Sequence, residues 1–319
     1  MTFLHMAGVD SGRDRGETPL LRSVCIAFLV ALSSLGFAQG TYAQLLNSDA
    51  PVIVGHYHLN VTSVDEHKRF WVDTLGGTAI KISGVDVIRF PDVFLFLREQ
   101  PPTGPTRGTT FDHIGFAVPD VPALTTRVVA NGYELTVGRE PPPGETASPP
   151  TAGNYGMFSY LVGPDGVKVE LVTNSAENPP PITHHHVHFV NRDFVAMQQW
   201  YMQAFNATLR PGQTDFFIGA DLPGVGYMLN FFSWLPAEDL VGTEGRAVDH
   251  VGFEVRNLEA FCAELEAKGI ELTEPYRRLP ELGGLATAKV TDPWGTVIEL
   301  TEGLRSDASI EPLPVDATL

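Results

Sequence analysis

The sequence predicts an α+β fold of four consecutive units, each a strand, a helix and then several strands, with the units paired into two domains. Three observations carry this. FDHIGFAV (residues 111–118) recurs as VDHVGFEV (248–255). Each copy is followed by a helical pattern and then a glycine-turned strand, GPDGVKVELVT (163–173) and DPWGTVIELTE (292–302). Each copy is also preceded by a histidine-bearing strand, GHYHLNV (55–61) and HHVHFV (185–190). Self-similarity of this length marks a repeated supersecondary unit.

In chain order, residues 1–43 come first. Ser23 to Ala43 carries no charge, holds the apolar run VCIAFLVAL behind Arg22, and ends TYA before Gln44. This reads as a signal peptide, and the protein is expected to be exported to a periplasm or secreted. A retained anchor is the alternative, although Ser33, Ser34, Gly36, Gln39, Gly40 and Thr41 make the second half poorly apolar for a bilayer core. The first domain is expected over residues 52–175 and the second over 184–303, with 304–319 as a flexible tail and NPPPIT, from Asn178, as the boundary.

Helical spacing is clear for Val121, Leu124, Val128 and Val129, and again for Leu258, Phe261, Cys262 and Leu265. Asn257 is placed to cap the latter helix, while Gly132 and Gly269 are placed to end the two. The helices of the odd units are rougher, Val64 to Leu75 and Phe194 to Phe205, marked by the pairs Phe70-Trp71 and Trp200-Tyr201.

The net charge of −17 lies on the mature part, because Arg13, Arg15 and Arg22 balance Asp10, Asp14 and Glu17 in the leader. Such acidity argues against nucleic acid and against an anionic membrane surface as partners. Cys25 lies in the leader and leaves Cys262 alone, so neither a disulfide nor a thiolate-rich metal site is expected in the mature chain.

Strand alternation directs the histidines. In VDHVGFEV, Val251, Phe253 and Val255 share the helix-covered face, leaving His250, Gly252 and Glu254 on the other. In the closing strands Ile298 and Leu300, or Val169 and Leu171, face the helices, which turns Glu299 and Glu170 toward the histidine side. The same alternation turns out His56 and His58, and His184, His186 and His188. Two triads follow in order, His56, His113 and Glu170, then His186, His250 and Glu299. Two imidazoles and a carboxylate on one face suit a divalent metal, Fe, Ni, Zn or Mn. A slip of two residues would replace His186 by His184.

The residues DHIGF and DHVGF, the strand endings VELVT and IELTEG, and the aromatic pairs of the odd helices resemble the vicinal oxygen chelate superfamily, the glyoxalase, bleomycin-resistance and extradiol dioxygenase group. The resemblance covers residues 52–303. It implies βαβββ units paired into cupped, incomplete barrels, each holding a metal on first-strand histidines and last-strand glutamates. It implies His56, His113 and Glu170 as one ligand set and His186, His250 and Glu299 as the other. The place of a fourth ligand falls near Phe96 and Leu97 in the first domain, which cannot ligate, and on Asn230 in the second, a weak ligand or a hydrogen-bonding group.

The expected function is therefore an exported, metal-dependent enzyme, a glyoxalase-like lyase or isomerase, acting on a small oxygenated substrate chelated to the metal. Non-haem Fe(II) dioxygenase chemistry is one alternative, and a non-catalytic ligand-binding protein of the bleomycin-resistance kind is another. His188, His58 and Glu254 are the candidates for proton transfer, each on the ligand face of its strand. The bland reading makes the two histidines supports of the ligands and lets Glu254 hold an arginine. The second domain is the favoured working site, the loop at 140–153 being swollen in the first. A homodimer is left open.

Overall fold

The computed structural model describes residues 50–138, 158–215, 217–233, 239–282, 284–304 and 310–312. The proposed signal segment 1–43 and the loop 140–153 lie outside the described residues. Among those described, no helix is long and apolar enough to cross a membrane.

Four βαβββ units follow one another as expected. The first comprises β1 (Val52–Val61), α1 (Val64–Lys68, prolonged by a π-helical turn over Arg69–Thr74), β2 (Thr78–Ile82), β3 (Val85–Arg89) and β4 (Phe94–Glu99). The second comprises β5 (Phe111–Val118), α2 (Val121–Ala130), β6 (Glu134–Thr136), β7 (Phe158–Val162) and β8 (Lys168–Thr173). The third comprises β9 (Thr183–Val190), α3 (Phe194–Phe205), β10 (Thr208–Leu209), β11 (Phe217–Leu222) and β12 (Tyr227–Phe232). The fourth comprises β13 (Val248–Val255), α4 (Leu258–Ala267), β14 (Glu274–Leu279), β15 (Leu285–Thr291) and β16 (Val297–Glu302), and a last strand, β17 (Ile310–Pro312), follows.

The helices begin and end for local reasons. Asp120 caps α2 by accepting from the Ala123 N–H at 2.9 Å, and Ser63 caps α1 by accepting from Glu66. Gly132 and Gly269 adopt the positive φ that follows a helix end. The cap expected of Asn257 is different. Asn257 is left-handed with no side-chain cap bond, and the Leu258 N–H is instead met by the Glu302 carboxylate at 2.9 Å.

The pairing of units in the sheets crosses the bounds expected of the domains. One sheet runs β14-β15-β16-β13-β1-β4-β3-β2-β17, joining the fourth unit to the first, and the other runs β10-β11-β12-β9-β5-β8-β7-β6, joining the third to the second. We call these the outer and the inner sheet. Neither 52–175 nor 184–303 forms a half-barrel by itself. Consecutive units meet instead through side chains of one continuous core, with Trp71 and Phe90 against Phe116, and Phe205 stacked on Phe253 at 4.2 Å. The linkers lie side by side where the chain changes sheets: the Thr110 N–H bonds the Val241 carbonyl, and Arg246 donates to the carbonyls of Pro105 and Arg107. Odd units are equivalent to one another, so either pairing would complete two ligand sets.

Of the segment expected as a flexible tail, Leu304 and residues 310–312 are described. Leu304 is buried against Ile53, Phe94 and Phe96, and β17 pairs antiparallel with β2 at the far edge of the outer sheet.

Candidate metal centres

At the centre of the outer sheet β1 lies antiparallel to β13, with His58 opposite His250, Tyr57 opposite Val251 and His56 opposite Gly252. The inner sheet repeats this register between β9 and β5, with His188 opposite His113, Val187 opposite Ile114 and His186 opposite Gly115. The triads are thus exchanged relative to expectation. His56 joins His250 and Glu299, and His186 joins His113 and Glu170, because ligands are shared across paired strands.

Each DH motif sits at an irregularity of the ladder. Register slips by one residue at Asp249 and at Asp112, and a bulged residue no longer points to the face opposite its neighbour. Each aspartate therefore reaches the adjacent ring, Oδ1 lying 2.7 Å from Nδ1 in His250 and 2.6 Å in His113. With Nδ1–H donated to a carboxylate, Nε2 is left as the lone pair for a metal. Lys168 Nζ completes the inner support, 2.8 Å from Asp112 Oδ1. These aspartates were missed in the sequence, although each directly precedes a ligand in DHIGF and DHVGF.

The glycine of the same motif makes room. A Cβ at Gly252 would lie 2.0 Å from the His56 ring, and one at Gly115 would lie 2.3 Å from the His186 ring. Each odd-unit ligand thus lies flat across an even-unit glycine.

Four residues converge in each cup: His56, His58, His250 and Glu299 in the outer, and His113, Glu170, His186 and His188 in the inner, each set with its donor atoms within 4.8 Å of one another. In the inner cup Glu170 Oε2 lies 3.0 Å from His113 Nε2 and 2.9 Å from His186 Nε2, and the two nitrogens are 3.1 Å apart. Donors at right angles on bonds of about 2.1 Å are about 3.0 Å apart, so this triangle matches one face of an octahedron. The buried His188 Nε2 and Asn230 Oδ1 have no hydrogen-bond partner. In the outer cup Glu299 Oε2 lies 2.9, 3.4 and 3.7 Å from Nε2 of His56, His250 and His58, and Thr287 donates to its other oxygen at 3.1 Å. These distances scatter around the roughly 3.4 Å of a tetrahedral donor set, and the buried His250 Nε2 also lacks a partner. Both donor sets fit a divalent ion.

Electrostatics agree with the arrangement. Burial raises Glu170 and Glu299, but the facing histidines outweigh it and hold both carboxyls well below their usual range. Burial lowers His188 and His58, their histidine neighbours lower them further, and both rings stay neutral.

Two other expectations change. The bulge at His185 turns His184 away from His186, so His184 sits opposite Phe116 and bonds the Tyr57 hydroxyl at 2.7 Å in the core. It cannot replace His186. Glu254 is not in a cluster. Its carboxylate accepts from the Thr301 hydroxyl at 2.6 Å and from the Gly303 and Leu304 N–H groups at 2.7 and 3.0 Å, which makes it a clamp on the chain after β16.

The cups differ along one row of paired residues. In the outer sheet the row reads His250, His58, Phe96, Val87, Ile80; in the inner it reads His113, His188, Asn230, Gly219, Arg210. Phe96 stacks on His58 at 4.7 Å and packs with Val87, Ile80 and Leu304 beside the outer cluster. The inner cup holds a cavity of about 530 Å³ that reaches Glu170, His186 and His188. The cup with this cavity therefore takes Glu170 from the first half of the chain and His186 and Asn230 from the second.

Two facing βαβββ units with a buried histidine–carboxylate cluster in each cup define a metal-binding α+β protein of the paired-unit class. The model of the Glyoxalase/Bleomycin resistance protein/Dioxygenase superfamily matches residues 53–171 and 144–300, and the chain belongs to that superfamily. Among solved structures it is similar to glyoxalase I from Zea mays, at 18% identity and a TM-score of 0.56, covering 79% of this chain and 92% of that one. A mutant of the same maize enzyme gives 17% and 0.58, covering 79% and 94%. A presumed dioxygenase from Bacillus subtilis gives 14% and 0.55, covering 78% and 85%. At these identities the likeness concerns the fold. No curated protein matches the chain.

Proposed function

We propose that the protein is an exported, metal-dependent enzyme, a glyoxalase-like lyase or isomerase, that works on a small oxygenated substrate in the inner cup. The observation that carries this reading is the three-donor face of His113, His186 and Glu170 opening on the 530 Å³ cavity. A divalent ion held there supplies Lewis acidity toward two adjacent substrate oxygens. The chain supplies the rest. Asp112 fixes the His113 ring, and Tyr160, opposite Glu170 across β7 and β8, hydrogen-bonds its carboxylate. His188, neutral and with Nε2 unpartnered, is the group placed to accept a proton from substrate. Phe158, Phe217 and Phe232 line the cavity and exclude water.

Metal analysis of the purified protein tests this. Wild type is expected to carry Ni, Zn or Mn, and Glu170→Gln to lose about one equivalent together with turnover of vicinal diols or hydroxycarbonyls. Stoichiometric iron with oxygen uptake would move the assignment to a dioxygenase. A metal-free wild type would leave only a ligand-binding module. Export is tested by N-terminal sequencing of the protein recovered outside the cytoplasm, with the mature chain expected to begin at Gln44.

A further inference from the structure

We infer that the inner cup selects a substrate carrying a carboxylate remote from its chelating oxygens, with Arg210 as the anchor for that group; this rests on the function proposed above. The argument begins at Gly219. In the outer cup the equivalent residue is Val87, packed between Phe96 and Ile80. In the inner cup the absence of a side chain leaves a gap, where a Cβ would meet Arg210 Cδ at 3.0 Å and Asn230 Oδ1 at 3.2 Å. Arg210 thus lies across the glycine and lines the same cavity as the metal cluster.

Asp221 holds one end of the guanidinium, Nη1 to Oδ1 at 3.2 Å, and is its hydrogen-bond partner among the described residues. A guanidinium has five N–H donors in a fixed fork, so one such contact orients it and leaves donors for a second carboxylate. Phe158, Phe217, Phe232 and Val172 supply apolar wall beside Tyr160, His185 and Asn230. A cation three strands from His188 along the row, a cluster able to hold a metal and aromatic wall in the same cavity describe a ligand that is anionic at one end, apolar in the middle and doubly oxygenated at the other. A chain with a net charge of −17 would otherwise repel such an anion, which makes a local cation the more necessary.

The test uses the full mature chain loaded with its divalent ion, and measures binding of a catechol bearing a propionate side chain and of its methyl ester. Wild type is expected to prefer the acid by about tenfold, the scale of a charge-assisted hydrogen bond. Arg210→Met should abolish that preference while leaving ester affinity unchanged, and Arg210→Lys should restore part of it. Equal binding of acid and ester by wild type, or a preference that survives in Arg210→Met, overturns the inference, as does failure of wild type to bind either. Metal content separates the two levels of failure: metal present in wild type and lost in Glu170→Gln leaves the proposed function standing while the anchor falls.

Discussion

The two cups are built on the same register and end as different devices. Both place a histidine pair opposite a DHxG strand and a glutamate beside it, yet the inner cluster lines a cavity of about 530 Å³ while an apolar cluster packs beside the outer one. The difference lies in three positions of one row, Phe96, Val87 and Ile80 against Asn230, Gly219 and Arg210. Ligand geometry follows the same division. Both cups bring four possible donors together, but in the inner cup three of them form a tight face beside the cavity, whereas the outer set is looser. The repeated register gives two clusters able to hold a metal, and a few side chains along one row make their surroundings differ.

The largest expected effect tests that division directly. Glu170→Gln should lower turnover by about a thousandfold, the scale of losing one charge-stabilising group, while Glu299→Gln should leave turnover nearly intact and instead lower the melting temperature and bound metal. Equal loss of turnover in both variants would show the outer cup to be catalytic as well. Next in size is the packing beside the outer cluster. Phe96→Ala should destabilise the protein by about 3 kcal/mol or more in chemical denaturation, because it removes a buried ring stacked on His58. Asn230→Ala should cost far less, since its amide faces a cavity; comparable losses would mean that the inner cup is packed as tightly as the outer.

Much of this was legible in the sequence, and the failures have physical causes. Period-two alternation turned His56, His113, Glu170, His186, His250 and Glu299 onto the cup faces, where the structure has them, and the glycine-ended helices fall where spacing put them. Unit pairing was not legible, because the two odd units offer interchangeable ligand strands. The bulges at Asp112, Asp249 and His185 were not legible either. A bulge breaks the alternation that faces are read from, which is why His184 went to the wrong side and the two aspartates were overlooked. Glu254 had the correct face, but its partners are Thr301 of β16 and the N–H groups of Gly303 and Leu304 where the strand ends, contacts that alternation does not reveal.

Those overlooked aspartates provide a comparison of intermediate size. Asp112→Asn and Asp249→Asn should each weaken metal binding at their own cup by about 10- to 100-fold, the usual cost of losing an outer partner of a histidine ligand. Competition titration with a chelator would read it. An effect of Asp112→Asn confined to folding stability, with metal affinity unchanged, would assign the aspartate to the Lys168 ion pair alone.

The smallest effect concerns the clamp on the chain after β16. Burial raises the Glu254 carboxyl from 4.5 to about 7, against the lowering influence of its bonds to Thr301, Gly303 and Leu304. A carboxyl raised in the folded state binds its proton more tightly there than in the unfolded chain, so the folded protein loses stability as pH rises from the unfolded value through the folded one. Between about pH 5 and pH 7 this amounts to about 2 kcal/mol, and the inner cup has no equivalent clamp, because Ala117 of β5 takes the place of Glu254. Glu254→Gln keeps an acceptor for the two backbone N–H groups and removes the titration. Its stability, relative to wild type, should therefore rise across that interval, with the contribution of Asp92, which is raised to about 6, cancelling in the difference. Parallel curves for the two proteins would show that the carboxylate is already ionised in the fold and that the clamp on Leu304 is insensitive to pH.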